Sequence, residues 1–360
     1  AGKFGKPGGG FTLSNSGAWR LDTSAAVQAE EPAAQLINMN RFGRALFGEA
    51  DPTIRLLFVY NSNPLATLPE QEKVRRGLER EDLFTVVFDP VMTDTARYAD
   101  LVLPATTFLE QEDMARGYGA YVLHRSRALI PPVGESRPNH EVFAELLRLL
   151  GLERQGDNTS LQSFEAAALA AQAEADRARG IDRGEELRER LATEGMVRPQ
   201  PPRPVQFRDV FPTTDDGRVH LFPAELDAEC DGRLYTYQGD PGNTAAPLAL
   251  LSPATSKTIC SILGELDRRP QTLEMHPADA KQRSLADGDR VRVRNASGEV
   301  IAILRLSEDL RPGVVVLPKG VWCAHSENGA TSNALVPDSL TDFAGGATFN
   351  DARVEVESVD

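Results

Sequence analysis

The 360-residue sequence has few cysteines and no long run of apolar residues. Its three cysteines, Cys230, Cys260 and Cys323, are too far apart for a Cys-x-x-Cys metal or redox motif, and an odd number does not fit a disulfide framework. We expect all three to be buried thiols. No segment approaches the about 18 apolar residues that a membrane-spanning helix needs, and no signal peptide is visible.

Positive charge is also in short supply. The 39 Lys and Arg residues stand against 53 Asp and Glu residues, so the formal net charge is −14. Phosphate-rich surfaces repel such a protein at long range, which argues against a nucleic acid or an anionic membrane as partner. The length allows two or three domains, and 41% hydrophobic with 26% charged residues is an ordinary globular composition.

The first half of the sequence alternates predicted strands and helices. Strands are predicted at 54–60, 83–88 and 101–103, with helices at 31–48, 67–79, 93–98 and 142–150. Thr67 and Glu70 have the spacing of a capping box, with Pro69 in the first helical turn. The apolar spacing of 142–150 predicts a helix that faces a core. Apolar strands that alternate with helices indicate a parallel sheet.

The second half has a different texture. Residues 160–196 have a helical composition, and the prolines within 196–204 predict an extended linker. Short strands dominate from residue 247, at 248–252, 290–294, 300–306 and 314–317, with a short helix at 277–283. Such closely spaced strands are typical of a small β-barrel or sandwich.

Polar side chains follow the first two predicted strands, where open α/β sheets bind their ligands. Asn61, Ser62 and Asn63 suit ribose hydroxyls and a phosphate at a helix entrance, whereas a turn closed by Asn and Pro is the alternative. Asp89 can accept two hydrogen bonds from the ring N–H and the amine of guanine, or cap a helix.

Hydroxyl groups are concentrated in two further segments. Thr93 and Thr95 either cap the next helix or touch a nucleotide. The segment 252–261 can cradle a pyrophosphate through hydroxyl and backbone donors with one cation, although a solvated loop would have the same composition. Its candidate ligands are Ser252, Ser256, Lys257, Thr258 and Ser261.

The run Asp-Pro-Val-Met-Thr-Asp-Thr-Ala-Arg-Tyr-Ala-Asp-Leu-Val-Leu-Pro at 89–104 resembles the guanosine-binding part of a known family. These are the bis-molybdopterin guanine dinucleotide oxidoreductases, the dimethyl sulfoxide reductase family. Stretches at 5–11, 211–219, 276–280 and 285–291 are similar to the same family. The resemblance implies an α/β fold class, with an incomplete Rossmann-like parallel-sheet domain followed by a double-psi-type β-barrel domain.

The resemblance also implies domain boundaries and further site residues. A partial molybdopterin oxidoreductase domain would cover 1–150, a helical insertion and Pro-rich linker 151–204, a connector 205–246 and the dinucleotide-binding barrel 247–360. Gln111 matches a cofactor-contacting position where many relatives have lysine, and Asn139 matches another, although it also suits a helix N-cap. Asn333, Phe349 and Asn350 match positions near the pterin.

The function that the resemblance implies is two-electron redox chemistry or oxygen-atom transfer at molybdenum or tungsten. The chain would be the C-terminal portion of the enzyme, binding molybdopterin guanine dinucleotide and inactive alone. An iron–sulfur cluster and the metal ligand would belong to an N-terminal remainder, and an iron–sulfur electron-transfer subunit would be a partner. His124 and His325 are candidates for substrate chemistry, with structural roles as the alternative.

Two other functions compete with this one. A non-catalytic binding or chaperone-like module could reuse the same folds. A nicotinamide dehydrogenase is disfavoured, because no strand is followed by a Gly-x-Gly-x-x-Gly turn that opens a helix.

Overall fold

The computed structural model describes residues 2–10, 19, 21, 36–117, 119–154, 157, 160–178, 184–198, 205–230, 233–237, 239, 242, 244–266 and 269–359. The chain forms two compact units, each made of two separate stretches. One unit comprises Ala1–Ala34 and Pro104–Leu221, and the other comprises Gln35–Leu103 and Phe222–Asp360. The domain boundaries drawn from the sequence stay a prediction.

The second unit begins with a three-stranded sheet in the order β1 (Leu56–Tyr60), β2 (Phe84–Asp89) and β3 (Leu101–Pro104). β1 and β2 are parallel, with Leu56 opposite Phe84 and Tyr60 opposite Phe88. The β-branched and aromatic residues of β2 favour an extended chain, and four of its six residues are buried. The predicted parallel sheet is confirmed.

A 3₁₀ turn at Met39–Arg41, α1 (Phe42–Arg44) and a π-helical turn at Ala45–Glu49 precede β1. The helices α2 (Pro64–Thr67) and α3 (Gln71–Leu78) connect β1 to β2, and a 3₁₀ turn at Thr95–Tyr98 lies between β2 and β3. The predicted capping box is wrong. Thr67 ends α2, where its Oγ1 donates to Asn63 O at 2.9 Å, and the extended Leu68 breaks the chain before α3. The predicted helix at 31–48 is shorter, since residues 36–38 are not helical and 31–35 lie outside the described residues.

The first unit contains an antiparallel sheet in the order β4 (Asp113–Arg116), β5 (Leu123–Ser126) and β6 (Met196–Val197), with helices α4 (Asn139–Leu150), α5 (Leu161–Arg177) and α6 (Gly184–Glu194). The helices predicted within 160–196 are confirmed as α5 and α6, which share a core with β5. Met196–Val197 forms a strand, not the start of a linker, and 199–204 lie outside the described residues. α4 buries none of its residues, so the prediction that it faces a core is wrong.

The remainder of the second unit is a closed six-stranded barrel, preceded by α7 (Ala224–Glu229) and containing α8 (Pro277–Gln282). Its strands are β7 (Leu248–Leu251), β8 (Thr272–Met275), β9 (Arg290–Arg294), β10 (Glu299–Leu306), β11 (Val314–Val316) and β12 (Arg353–Ser358), in the order β10-β8-β11-β7-β12-β9. β8 and β10 are parallel, as are β7 and β11. Closure leaves this sheet without a free edge.

The strand pattern Arg-Val-Arg-Val-Arg shows how the barrel sequence works. Val291 and Val293 are fully buried in the barrel core, whereas the three arginines face outward and pair with acidic side chains on neighbouring segments. Two-residue alternation therefore separates the core from the charged surface. Across the described part of the chain, no helix has the length and apolar character that a bilayer crossing requires.

Candidate functional site

The carboxyl ends of β1 and β2 lie side by side because these strands are parallel and in register. Asn61, directly after β1, donates from its backbone N to Phe88 O at 3.4 Å, and Asp89 follows Phe88. Asn61 has φ of 52°, a left-handed conformation that Asn adopts more readily than most residues. Asn61 and Ser62 are exposed, so polar groups of both strand ends are available at this edge.

Asp89 has one engaged carboxylate oxygen. Its Oδ1 accepts from Val91 N at 3.1 Å, and no hydrogen bond to Oδ2 is found among the described residues. The next helical turn begins only at Thr95, so Asp89 closes a turn and does not cap a helix. Partial burial raises the pKa of Asp89, which marks a carboxylate held in an incompletely hydrated place.

Hydrogen bonds of Thr93, Thr95 and Asn63 stabilise the same turn. Thr93 Oγ1 accepts from Ala96 N at 3.0 Å, whereas the N-cap position of this turn belongs to Asp94. Thr95 Oγ1 accepts from Leu65 N and donates to Asn63 Oδ1, at 3.0 and 2.8 Å. Asn63 Nδ2 is buried and has no hydrogen-bond partner within the described ranges. The turn therefore contains one buried donor, Asn63 Nδ2, for which no acceptor is found among the described residues.

Asp94, between the two threonines, was not singled out from the sequence. Its carboxylate is 1% exposed and accepts hydrogen bonds from Cys323 N and Ala324 N, at 2.6 and 3.2 Å. Cys323–His325 is a 3₁₀ turn that follows the barrel strand β11. The only available signal was an acidic residue within a hydroxyl-rich turn, which is too common to be specific.

The hydroxyl-rich loop that follows β7 is partly organised by its own side chains. Thr255 Oγ1 accepts from Lys257 N and Thr258 N, at 3.1 and 3.0 Å, and lies 2.8 Å from Thr258 Oγ1. Thr258 is buried, while Ser256 and Lys257 are exposed. The loop therefore presents a cation and a hydroxyl outward from a fixed turn.

Both ends of this loop are tied to other parts of the barrel. Ser252 N donates to Asn350 Oδ1 at 3.3 Å, and Ser252 Oγ is buried without a partner in the described part of the chain. Ser261 O accepts from Trp322 Nε1 at 2.8 Å. Ser252 and Asn350, predicted separately from the sequence, therefore lie together.

The other barrel positions have different surroundings. Asn333 is buried, and its Nδ2 donates to Ala66 O at 2.7 Å, so this amide nitrogen joins the barrel to α2. Phe349 is half-buried and packs against the barrel core. A contact of either residue with a pterin stays a prediction.

In the first unit, the segment that carries Gln111 is hydrogen-bonded to the segment that precedes Asn139. Gln111 Oε1 accepts from Thr106 Oγ1 at 2.8 Å, and Thr106 N donates to Arg137 O at 3.2 Å. Asn139 is the first residue of α4, with Pro138 at the N-cap position. The alternative N-cap role of Asn139 is therefore wrong.

Glu110, next to Gln111, is a buried anchor that sequence reasoning did not assign. Its carboxylate accepts from Thr107 N and Oγ1 at 2.7 and 2.6 Å, and from Val133 N and Ser136 Oγ at 2.7 and 3.1 Å. These hydrogen bonds, led by the Thr107 hydroxyl, lower the pKa of Glu110 to about 2. The carboxylate thus holds the 130s loop against the segment that carries Gln111.

The cysteines differ in burial, and His325 has contacts of a structural kind. Cys260 is exposed, so the expectation that all cysteines are buried is wrong. Burial, followed by the nearby Asp94 carboxylate, raises the pKa of Cys323 well above its usual range. His325 Nδ1 lies 3.1 Å from Gly264 O, and its ring stacks parallel to that of Trp322.

Two family models match the sequence. The model described as "Molybdopterin oxidoreductase" matches residues 2–149, and the model described as "Molydopterin dinucleotide binding domain" matches residues 255–353. The chain belongs to the molybdopterin oxidoreductase family. The resemblance seen in the sequence is confirmed, and the cofactor of the family is molybdopterin guanine dinucleotide with molybdenum.

Several curated relatives are similar along most of the chain. A probable oxidoreductase of Bacillus subtilis, YoaE, is 33% identical over 98% of this chain and 52% of its own length. Dimethyl sulfoxide reductase DmsA of Escherichia coli is 27% identical over 86% of this chain and 42% of its own length. The chain therefore spans about half the length of these relatives.

A solved structure supports the fold alone. Acetylene hydratase from Pelobacter acetylenicus is similar with a TM-score of 0.65 and 19% sequence identity, over 90% of this chain and 47% of that one. Its name is that of a hydratase, so this likeness does not assign a redox reaction to the present chain.

The donor set fits a molybdopterin guanine dinucleotide. Asp89 Oδ2 offers an acceptor, while Asn63 Nδ2 and Ser252 Oγ are buried polar atoms without partners among the described residues. Such orphaned atoms are rare in native proteins and indicate a missing ligand or water. Neutral hydrogen-bonding groups with one exposed lysine suit a sugar–phosphate tail better than a metal ion.

Proposed function

We propose that this chain binds the dinucleotide tails of the cofactor in a molybdenum oxidoreductase that catalyses two-electron redox chemistry or oxygen-atom transfer. The observation that carries the proposal is the strand-end edge, where Asp89 Oδ2 is unengaged among the described residues beside the exposed Asn61 and Ser62. Asp89 accepts from the ring N–H and the amine of guanine, a pair that adenine does not offer. Asn63, Thr93 and Thr95 hold this edge in place.

The hydroxyl-rich loop binds the pyrophosphate or the pterin. Lys257 supplies the positive charge, and Ser252, Ser256, Thr258 and Ser261 supply hydroxyl or backbone donors. The further contacts are, in the barrel, Asn333, Phe349 and Asn350 and, in the first unit, Gln111 and Asn139.

The barrel is of the double-psi type. Its two parallel pairs, β8 with β10 and β7 with β11, support this assignment because a simple up-and-down barrel contains antiparallel neighbours only.

The metal in the bound cofactor supplies the electron transfer, and the residues of this chain position its tails. An N-terminal remainder supplies the metal ligand and an iron–sulfur cluster, and an iron–sulfur subunit is the electron partner. Tungsten is the alternative metal.

The proposal is tested by replacing two aspartates in the full-length enzyme, Asp89 at the end of β2 and Asp82 shortly before it. Asp89→Ala removes a charge-assisted hydrogen bond worth about 1.5–3 kcal/mol, so molybdenum and guanine per protein should fall at least tenfold under dilution. Asp82→Ala makes the same charge change before β2, in an exposed ion pair with Arg80, and should retain both. Molybdenum is measured by mass spectrometry and guanine by chromatography after acid release.

The same measurement separates the enzyme from a binding or chaperone-like module. Full-length wild-type protein that contains neither molybdenum nor guanine would favour the module. Equal cofactor content in the two variants would contradict guanine recognition by Asp89.

A further inference from the structure

A chain of contacts leads from the turn after β2 to the hydroxyl-rich loop. Asp94, five residues after the strand end at Asp89, accepts from Cys323 N and Ala324 N. Trp322 immediately precedes these two amides, is 3% exposed, and donates from Nε1 to Ser261 O at 2.8 Å. Asp94 is therefore connected to the hydroxyl-rich loop through the segment that carries Trp322.

The loop segment next to Trp322 has a backbone that needs external support. Cys260 and Leu263 have φ of 53° and 61°, left-handed conformations that cost energy for residues with a side chain. Such conformations persist only where surrounding contacts determine them. The backbone–backbone hydrogen bonds found within 258–264 join residues three apart, such as Ile262 N to Ile259 O.

The packing around Trp322 is tight enough to provide that support. A Cβ built on Gly264 would lie 2.2 Å from Trp322 Cδ1 and Nε1, and one on Gly320 would lie 2.7 Å from Cys260 O. His325 adds a hydrogen bond between Nδ1 and Gly264 O. Both glycines are thus required for close approach, and the loop lies directly against the indole.

Asp94 is held in this place by two backbone amides and by the side chain of Cys323. No ion pair to Asp94 is found in the part of the chain that the structure describes, so these hydrogen bonds are what compensate its burial. Movement of the 322–324 backbone would leave a buried carboxylate unsatisfied. The acid therefore makes one position of Trp322 strongly preferred.

We propose that Asp94 and Trp322 are positioning residues for the hydroxyl-rich loop. Asp94 fixes the backbone at 323–324, and the indole of Trp322 fixes Ser261 O and the left-handed segment around it. The loop acquires the shape that its ligand needs before the ligand binds. The ligand of the loop rests on the proposed function, whereas the shape of the loop does not.

The test measures the loop in cofactor-free full-length protein by amide hydrogen exchange. Trp322→Phe keeps an aromatic ring and removes the Nε1 donor, so exchange within 258–264 should become at least tenfold faster. Trp19→Phe is the matched control, because Trp19 is also buried but its Nε1 has no partner among the described residues. This control should leave the loop unchanged.

Asp94 is tested by graded variants of the same full-length protein, with amide exchange of the loop as the readout. Asp94→Ala should accelerate loop exchange as much as Trp322→Phe. Asp94→Asn, which keeps one acceptor oxygen, should give intermediate exchange. Slower loop exchange in Asp94→Asn than in Asp94→Ala would show that the acceptor oxygen matters in addition to the volume of the side chain.

Two results would overturn the positioning role. Loop exchange in Trp322→Phe equal to that in Trp19→Phe would show that the loop keeps its shape unaided. An equal acceleration across all barrel strands would show that the variants only destabilise the barrel. Accelerated exchange confined to the loop, with molybdenum and guanine retained at the wild-type level in the loaded enzyme, would support positioning and contradict the proposed ligand of the loop.

Discussion

Asn63 and Ser252 each bury one polar atom without a partner among the described residues. Leaving such an atom unsatisfied costs about 1–3 kcal/mol, so each is a place where a ligand group or a water gains by binding. Thr95 differs, because its hydroxyl already accepts from Leu65 N and donates to Asn63. The three residues have similar chemistry in the sequence, and only the fold distinguishes the engaged hydroxyl from the free donors.

Glu110 gives the first part of the chain a predictable dependence on pH. Its folded pKa of about 2 lies below the ordinary value of 4.5, so the carboxylate stabilises the fold above the ordinary pKa. This contribution is lost as pH falls from about 4.5 towards about 2. The Tm of the wild type should therefore exceed that of Glu110→Gln at pH 6, and the difference should shrink steadily by pH 3.

The matched control for Glu110 is Glu141→Gln, which removes the same charge from the exposed first turn of α4. Its Tm should follow the wild type over the whole range. A Tm difference for Glu110→Gln that is the same at pH 6 and pH 3 would show that the carboxylate charge is not the stabilising feature.

At the scale of elements, apolar runs predicted the strands of the parallel sheet and most of the barrel. The strands β4, β5, β6, β8 and β12 were missed. β4 and β5 are four residues long, carry charged residues, and owe their pairing to each other and to β6, which comes some seventy residues later in the numbering. Pairing of this kind leaves little periodic signal in either segment.

The capping box fails for a related reason. The spacing of Thr67 and Glu70 is correct, but Glu70 N donates to Val336 O in the barrel at 3.0 Å. Glu70 adopts φ of 51° directly before α3, so a contact with a distant segment replaces the local cap. Local sequence does not contain this information.

The hydroxyl-rich loop supports a prediction for Lys257. The side chain is exposed, and an exposed lysine contributes little to folding. Lys257→Gln should therefore lower molybdenum and guanine retention severalfold while changing Tm by less than about 2 °C. Lys281→Gln, on the exposed face of α8, serves as the control and should alter neither quantity. A lower Tm with full cofactor content would make the loop structural only.

At the scale of the whole molecule, the family resemblance predicted the two kinds of architecture and the cofactor class. It did not predict how residues far apart in sequence meet. Gln71 Nε2 donates to Leu65 O at 2.8 Å and to Thr331 Oγ1 at 3.0 Å, while its Oε1 accepts from Thr331 N at 2.9 Å. No periodic pattern identifies such a partner, so Gln71 reads as a surface residue of α3.

Gln71→Ala should destabilise the second unit. The substitution leaves Leu65 O and Thr331 N buried and unpaired, at roughly 1–3 kcal/mol for each group. Urea unfolding followed by circular dichroism should show a lower midpoint, whereas Gln282→Ala at the exposed end of α8 should not change it. Coincident midpoints for the two variants would contradict the importance of the Gln71 contacts.

The same contact has a consequence for synthesis. Gln71 and Thr331 are 260 residues apart, and a ribosome that adds about 5–20 residues per second needs roughly 15–50 s to make that stretch. Thr331 has not been made during this interval, in which residues 104–221 of the first unit are synthesised. The second unit is therefore the later of the two to be fully synthesised. The segment that forms its parallel sheet is made before the barrel residues that it contacts.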